Sequence, residues 1–109
     1  MNLVIFQKSY DFYLYLSQIT RYFPKSEKFV LSSQIKNKTL EFIGLVVKTN
    51  KLYNKKDSLL DCDVVLEQIK VLIRIAKDMQ YMKSNQYEHC SKLIAEIGKL
   101  LGGWIRAFG

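Results

Sequence analysis

The chain has 109 residues, 49% of them apolar, with a single proline; that is enough to bury roughly two thirds of its surface around one core and too little for a second domain. Its net charge of +7 sits in one half: residues 1–56 hold ten Lys/Arg against three Asp/Glu, and residues 57–109 hold seven of each. The apolar opening "NLVIFQKSYDFYLYL" is interrupted by Lys8 and Asp11 and lacks a small-residue cleavage site, so it does not read as a membrane span or secretory leader and a cytoplasmic location is the expectation.

Four helical segments follow in order. The first spans about 3–22, with Ile5, Phe12, Leu16, Ile19 and Phe23 along one core-facing stripe and Leu3, Phe6, Tyr10 and Tyr13 along a second stripe beside it. One small core does not need both stripes. Pro24 ends this helix and suits the first turn of the next, expected over 25–51 with Leu31, Ile35, Phe42, Val46 and Tyr53 facing inward. A third helix, about 58–81, opens at "DSLLD" with Asp57 or Ser58 as cap and runs through Cys62, Val65, Leu66, Ile69, Leu72, Ile73, Ala76 and Met79. The fourth, about 85–107, takes Ser84 as its cap.

Links of a few residues between helices of about twenty make neighbours antiparallel, so the expected fold is all-α: an up-down-up-down four-helix bundle occupying 1–109 as one domain. Strands are not expected, because period-two alternation never persists.

The fourth helix carries an unusual run, "EIGKLLGGWIRAFG", although each interior glycine costs about 1 kcal/mol relative to alanine. Gly98 and Gly102 are four apart and share a side, where missing side chains would admit a second helix. Gly103 clears the next face for Trp104. Packing within the chain and packing against another subunit both fit this pattern.

Chemistry is hard to place. Cys62 and Cys90 lie in apolar-periodic segments without CxxC spacing, as buried free thiols do. His89 and Cys90 are adjacent and so diverge on a helix, and neither they nor Glu88 belong to a ligand set; no metal or other cofactor is expected. No Gly-rich phosphate loop, GxSxG, HExxH or Glu-x-x-His pair is present, so an enzyme is not expected either.

What remains is basic surface. Lys70, Arg74 and Lys77 share a face of the third helix, Lys48, Lys51, Lys55 and Lys56 close the second, and Arg21, Lys25 and Lys28 surround the first turn. Many of these complement helix dipoles, and Arg74 can pair with Asp78 one turn on. The first-turn cations gain nothing that way and suit a phosphate-rich or acidic partner. Tyr10, Tyr13, Tyr15 and Tyr22 could stack on bases or fill a half-buried subunit contact.

The stretches "YDFYLYL", "FPKSEKFVLSSQI", "LIRIAKDMQYMKSNQYEHCSKL" and "EIGKLLGGWIR", in that order, resemble the accessory variability determinant (Avd) proteins of diversity-generating retroelements over about Tyr10 to Arg106. The most specific match is Glu96, Ile97, Gly98, Gly102, Gly103 and Trp104. The wider superfamily includes bundle proteins encoded in intervening sequences of ribosomal RNA genes; where those have an "NIAEG"-like stretch this chain has "LEFIGLVVKTN", which favours the retroelement branch. The resemblance implies a ring-like homo-oligomer, a pentamer, with a positive surface. Its partners would be a reverse transcriptase and template-repeat RNA, with DNA as a further ligand, in a non-catalytic role supporting cDNA synthesis in mutagenic retrohoming. Under it, Arg21, Lys25, Lys28, Lys70, Arg74 and Lys77 would contact polymerase or nucleic acid, and Tyr10, Tyr13, Gly98, Gly102, Gly103 and Trp104 would contact neighbouring subunits. The alternative is a stand-alone oligomeric bundle related to the intervening-sequence proteins, with general RNA affinity or a structural role.

Overall fold

A computed structural model describes residues 3–109. It contains four long helices, α1 (Val4–Ile19), α3 (Leu31–Lys51), α4 (Lys56–Asp78) and α5 (Ser84–Phe108), plus a single turn, α2 (Lys25–Lys28); among the described residues there is no strand. A 3₁₀ turn, Thr20–Tyr22, finishes α1. Each long helix packs mainly on two others, α1 on α3 and α5, and α4 on α3 and α5. Between α1 and α5, Lys8 meets Glu96 and Tyr15 meets His89; between α3 and α4, Thr49 meets Ser58; between α4 and α5, Lys77 meets Tyr87.

The core follows the apolar stripes. Phe12, Leu16, Ile35, Phe42, Val46, Leu59, Ile69, Ile73, Ile97 and Leu101 are fully buried, and both cysteines are free and buried among them. Burying each such aliphatic or aromatic side chain contributes about 1.5–3 kcal/mol, which is why α5 stays helical through its glycines: Cys90, Ile94, Ile97 and Leu101 lock one face of it into the core.

The expected second helix, 25–51, is two pieces. Its inner stripe is Leu31, Ile35, Thr39, Phe42, Val46 and Thr49; continued backwards by three or four residues, it would drive Glu27 and Lys28 into the core, at the cost of burying charge. Val30 instead leaves the helical region, with φ −115° and ψ −84°, and both it and Phe29 point to solvent. Tyr53, expected inside, is fully exposed, because α3 ends at Lys51 and Leu52 is extended.

The later helix ends also differ from expectation. Helix α4 begins at Lys56, ahead of Asp57 and Ser58, and neither caps it. Ser58 is buried and bonded to Thr49, while the Asn54 side chain accepts from the Lys56 amide. Ser84 is the first residue of α5, not its cap; the Gln86 side chain accepts from the Lys83 amide before it. At its other end α4 stops at Asp78 rather than Tyr81. Gln80 takes φ 62°, the Tyr81 amide donates to the Ala76 carbonyl and the Gln80 amide to the Lys77 carbonyl, which is a Schellman closure built without glycine. Met79, expected inside, consequently swings out to solvent, and Leu72 is only half-buried.

Buried hydroxyls are paired with one exception. Ser9, Thr20 and Thr39 donate to the carbonyls of Ile5, Leu16 and Ile35, each one turn back. Ser32, 2% exposed, has no partner for its Oγ among the described residues.

Candidate nucleic-acid interface

All six basic residues singled out from the sequence are exposed, but they fall into two groups with different electrostatics. On α4 each of the three, Lys70, Arg74 and Lys77, has a local partner. Lys70 Nζ lies 3.5 Å from a Glu67 carboxylate oxygen, Arg74 Nε lies 3.8 Å from Asp78, and Lys77 sits 4.9 Å above the Tyr87 ring. Exposed pairs of this kind contribute little energy, yet they lower the positive potential that α4 presents.

Around the first turn the arrangement is different. Arg21, from the 3₁₀ turn, and Lys28, from α2, share the wall of one surface recess with Lys36 of α3. Ser17 of α1, Thr20 of the 3₁₀ turn, Phe29, Ser32 and Ser33 complete it, with no acidic residue in the wall. Among the described residues none of the three cations forms an ion pair; the pairs present join Lys8, Lys38, Lys70 and Arg74 to acids. Glu27, the nearest acid in sequence, accepts a hydrogen bond from the Tyr81 hydroxyl. Lys25 is exposed but stands outside the recess. Lys36 was not singled out from the sequence; its position four residues after Ser32, on the same side of α3, was the available signal.

The lysines closing α3 are in part structural. Lys55 Nζ donates to the carbonyls of Thr49, Asn50 and Leu52, closing the C-terminus of α3.

The residues expected at a subunit contact lie on two flanks. Phe6, Tyr10, Tyr13 and Ser17 recur at four- and three-residue steps on α1, and Ser17 lines the recess together with residues of α3. Tyr10 is about half exposed with its ring 6.1 Å from Phe6. Gly98 faces α4, where an added Cβ would meet Leu66 at an ordinary 3.8 Å. Added Cβ atoms at Gly102 and Gly103 would meet only the guanidinium end of Arg106, at 3.4 and 3.8 Å. Among the described residues no helix therefore needs these glycines. Trp104 borders an apolar hollow with Leu3, Val4, Ile5, Leu100 and Phe108. A further exposed apolar stripe, Leu60, Val64, Val71, Ile75 and Met79, runs along α4.

Burial pushes the Cys90 thiol up to about 12 and raises that of Cys62, whose shift is partly offset by the Thr49 contact, so both are thiols and poor nucleophiles at neutral pH. Among the described residues no three His, Cys, Asp or Glu side chains converge as a metal site would require, and no helix is long and apolar enough to cross a membrane.

Compared with known protein families, residues 3–108 match one described as bAvd-like. The chain belongs to the bAvd-like family. The match extends over all four long helices and over both groups of cations, so the resemblance seen in the sequence motifs holds for the whole folded unit. A search of curated proteins gave no match.

Proposed function

We propose that this bAvd-like chain is a non-catalytic accessory subunit of a diversity-generating retroelement, binding its reverse transcriptase and template RNA and supporting cDNA synthesis in mutagenic retrohoming. The observation that carries this reading is the family match over residues 3–108. The chain acts in the cytoplasm as one domain, an up-down-up-down bundle assembled into a ring-like homo-oligomer, a pentamer. Two features support assembly. The apolar surface left open on α1, α4 and α5 exceeds what one chain covers, and the Tyr10–Tyr13 flank differs from the Gly98–Gly102 flank, as the two sides of a head-to-tail contact must.

Nucleic acid or polymerase is held by Arg21, Lys25 and Lys28 and, more weakly, by Lys70, Arg74 and Lys77. Copies of the unpaired cations around one axis would sum to a field stronger than that of a single chain. The test is affinity capture of the tagged protein from its native host at moderate salt. Recovery of a reverse transcriptase together with one discrete non-coding RNA is the expected result. Self-association alone, or a mixture of RNAs released as salt rises, would overturn the reading in favour of a stand-alone bundle of the intervening-sequence type.

A further inference from the structure

The geometry points to a phosphate-binding site in the recess between the end of α1 and the start of α3, with Arg21, Lys28 and Lys36 as its cations and Ser32 and the first turn of α3 as its hydrogen-bond donors. Three independent observations converge there.

The first is charge. Three cations share the wall, no acid does, and none of the three is paired among the described residues. Three like charges held around one concavity repel unless an anion joins them. The second is the helix terminus. The leading amides of an α-helix have no partners within it; here the N-cap, Val30, gives no side-chain bond and the first turn of this 21-residue helix has no acidic residue. Neither the cap nor the first turn thus compensates the positive potential at that end. The third is Ser32. Its hydroxyl is buried and unpartnered, whereas Ser9, Thr20 and Thr39 each bond one turn back. The carbonyl one turn before Ser32 belongs to Lys28 and already accepts from Ser33 Oγ at 3.0 Å. A buried unpaired hydroxyl is costly, and Ser32 is a wall residue of this recess; an anion there supplies the missing acceptor.

The chemistry selects a phosphoryl group over a carboxylate. A tetrahedral anion offers oxygens in several directions, to a planar guanidinium, two ammonium groups and helix amides at once. The recess is open to solvent, so a phosphodiester within a strand can lie in it as readily as free phosphate. That the phosphate belongs to an RNA strand rests on the accessory-subunit reading; that the recess takes phosphate does not.

The experiment uses the full chain and two probes, inorganic phosphate and a labelled ten-nucleotide single-stranded RNA. In phosphate, against chloride at equal ionic strength, Tm rises by several degrees and saturates with concentration, and the amide resonances of Leu31, Ser32 and Ser33 move more than any others. Arg21→Gln/Lys36→Gln and, separately, Ser32→Ala lose that saturable rise, while Lys92→Gln/Lys99→Gln, with the same change of charge on exposed α5 positions, keeps it. For the RNA, Arg21→Gln/Lys36→Gln weakens binding about tenfold and makes the dependence of log affinity on log salt shallower by about 0.7, the share of one single-strand phosphate. An equal Tm response in chloride, resonance shifts centred elsewhere, or an undiminished response in Arg21→Gln/Lys36→Gln would overturn the site. Saturable phosphate binding with RNA affinity unchanged in that variant would keep the site and assign it to free phosphate. Saturable phosphate binding with no RNA affinity in the wild type would keep the site and count against the RNA half of the functional reading.

Discussion

Gly102→Ala separates the chain's own needs from those of an assembly. In a helix interior, alanine is favoured over glycine by about 1 kcal/mol, partly because glycine's unfolded state has more freedom to lose. Among the described residues nothing opposes the change: the new methyl group would touch only Arg106 Nη1, at 3.4 Å, the far end of a flexible side chain. The dissociated chain should therefore gain about 0.5–1 kcal/mol, which for a chain of this length is a rise in Tm of about 4 °C. Gly44 on α3 is the reference, since an added Cβ there meets nothing within 4 Å; Gly44→Ala should give the same gain. The two variants part company on association. If Gly102 is kept small for a neighbouring subunit, Gly102→Ala weakens assembly while Gly44→Ala leaves it unchanged.

The assay is urea unfolding at a protein concentration low enough for the chain to be monomeric, because the stability of an oligomer depends on concentration, combined with sedimentation velocity across a concentration series. A loss of stability in monomeric Gly102→Ala would refute the reasoning at its base, by showing that the glycine is needed within the chain. A gain in stability with assembly intact would refute the assignment of this flank to a subunit contact.

Further outcomes follow from the same packing. Gln80→Gly should stabilise by about 1 kcal/mol in urea unfolding, because the left-handed conformation at φ 62° costs a non-glycine residue about 1–2 kcal/mol. Thr49→Val strands the buried Ser58 hydroxyl and should cost about 1–3 kcal/mol, whereas Thr49→Val/Ser58→Ala, which removes both partners, should cost less than the single change; a double-mutant cycle without coupling would contradict the pairing. Ile35→Ala, at a fully buried position, should cost about 2–5 kcal/mol by the same measurement. Cys90 holds its proton far more tightly in the folded chain than in the unfolded one, about 12 against 9.0. Its contribution is therefore complete below pH 9 and is lost as pH rises toward 12. Stability measured from pH 7 to 10.5 should fall on the alkaline side, and Cys90→Ala should make that fall shallower.

Much of the fold was legible because burial obeys the helical period. Ile5, Phe12, Leu16, Ile19 and Phe23 fall on one stripe of the sequence and all five are buried; the inner faces of α3 and α4 are nearly as regular. Helix ends were less legible, since they depend on what each extra turn would push into the core. The α3 stripe would have brought Glu27 and Lys28 inward, and the chain breaks at Phe29 and Val30 instead. The stop after Asp78 was hidden for another reason: its left-handed position is filled by Gln80 where a glycine would have marked it. Ser58, which as a sequence reads as a cap, turned out to be a core hydroxyl.

The candidate site was legible as charge and illegible as geometry. Counting cations treats Arg21 and Arg74 alike, yet Arg74 has Asp78 at 3.8 Å while Arg21 faces Lys28 and Lys36 across an acid-free recess. What separates them is where the acids lie. Glu67 and Asp78 share α4 with its cations, within reach of i,i+3 and i,i+4 pairing. The recess cations Arg21, Lys28 and Lys36 come from three elements, the 3₁₀ turn, α2 and α3, so no single helical register could place a counter-charge among them. A sequence partitioned in this way neutralises itself where charge is local to one helix and leaves it unbalanced where the fold brings separate segments together. Part of the first half's surplus thus meets at a junction with three unpaired cations, an open helix N-terminus and one orphan hydroxyl, and an arriving anion would satisfy all three.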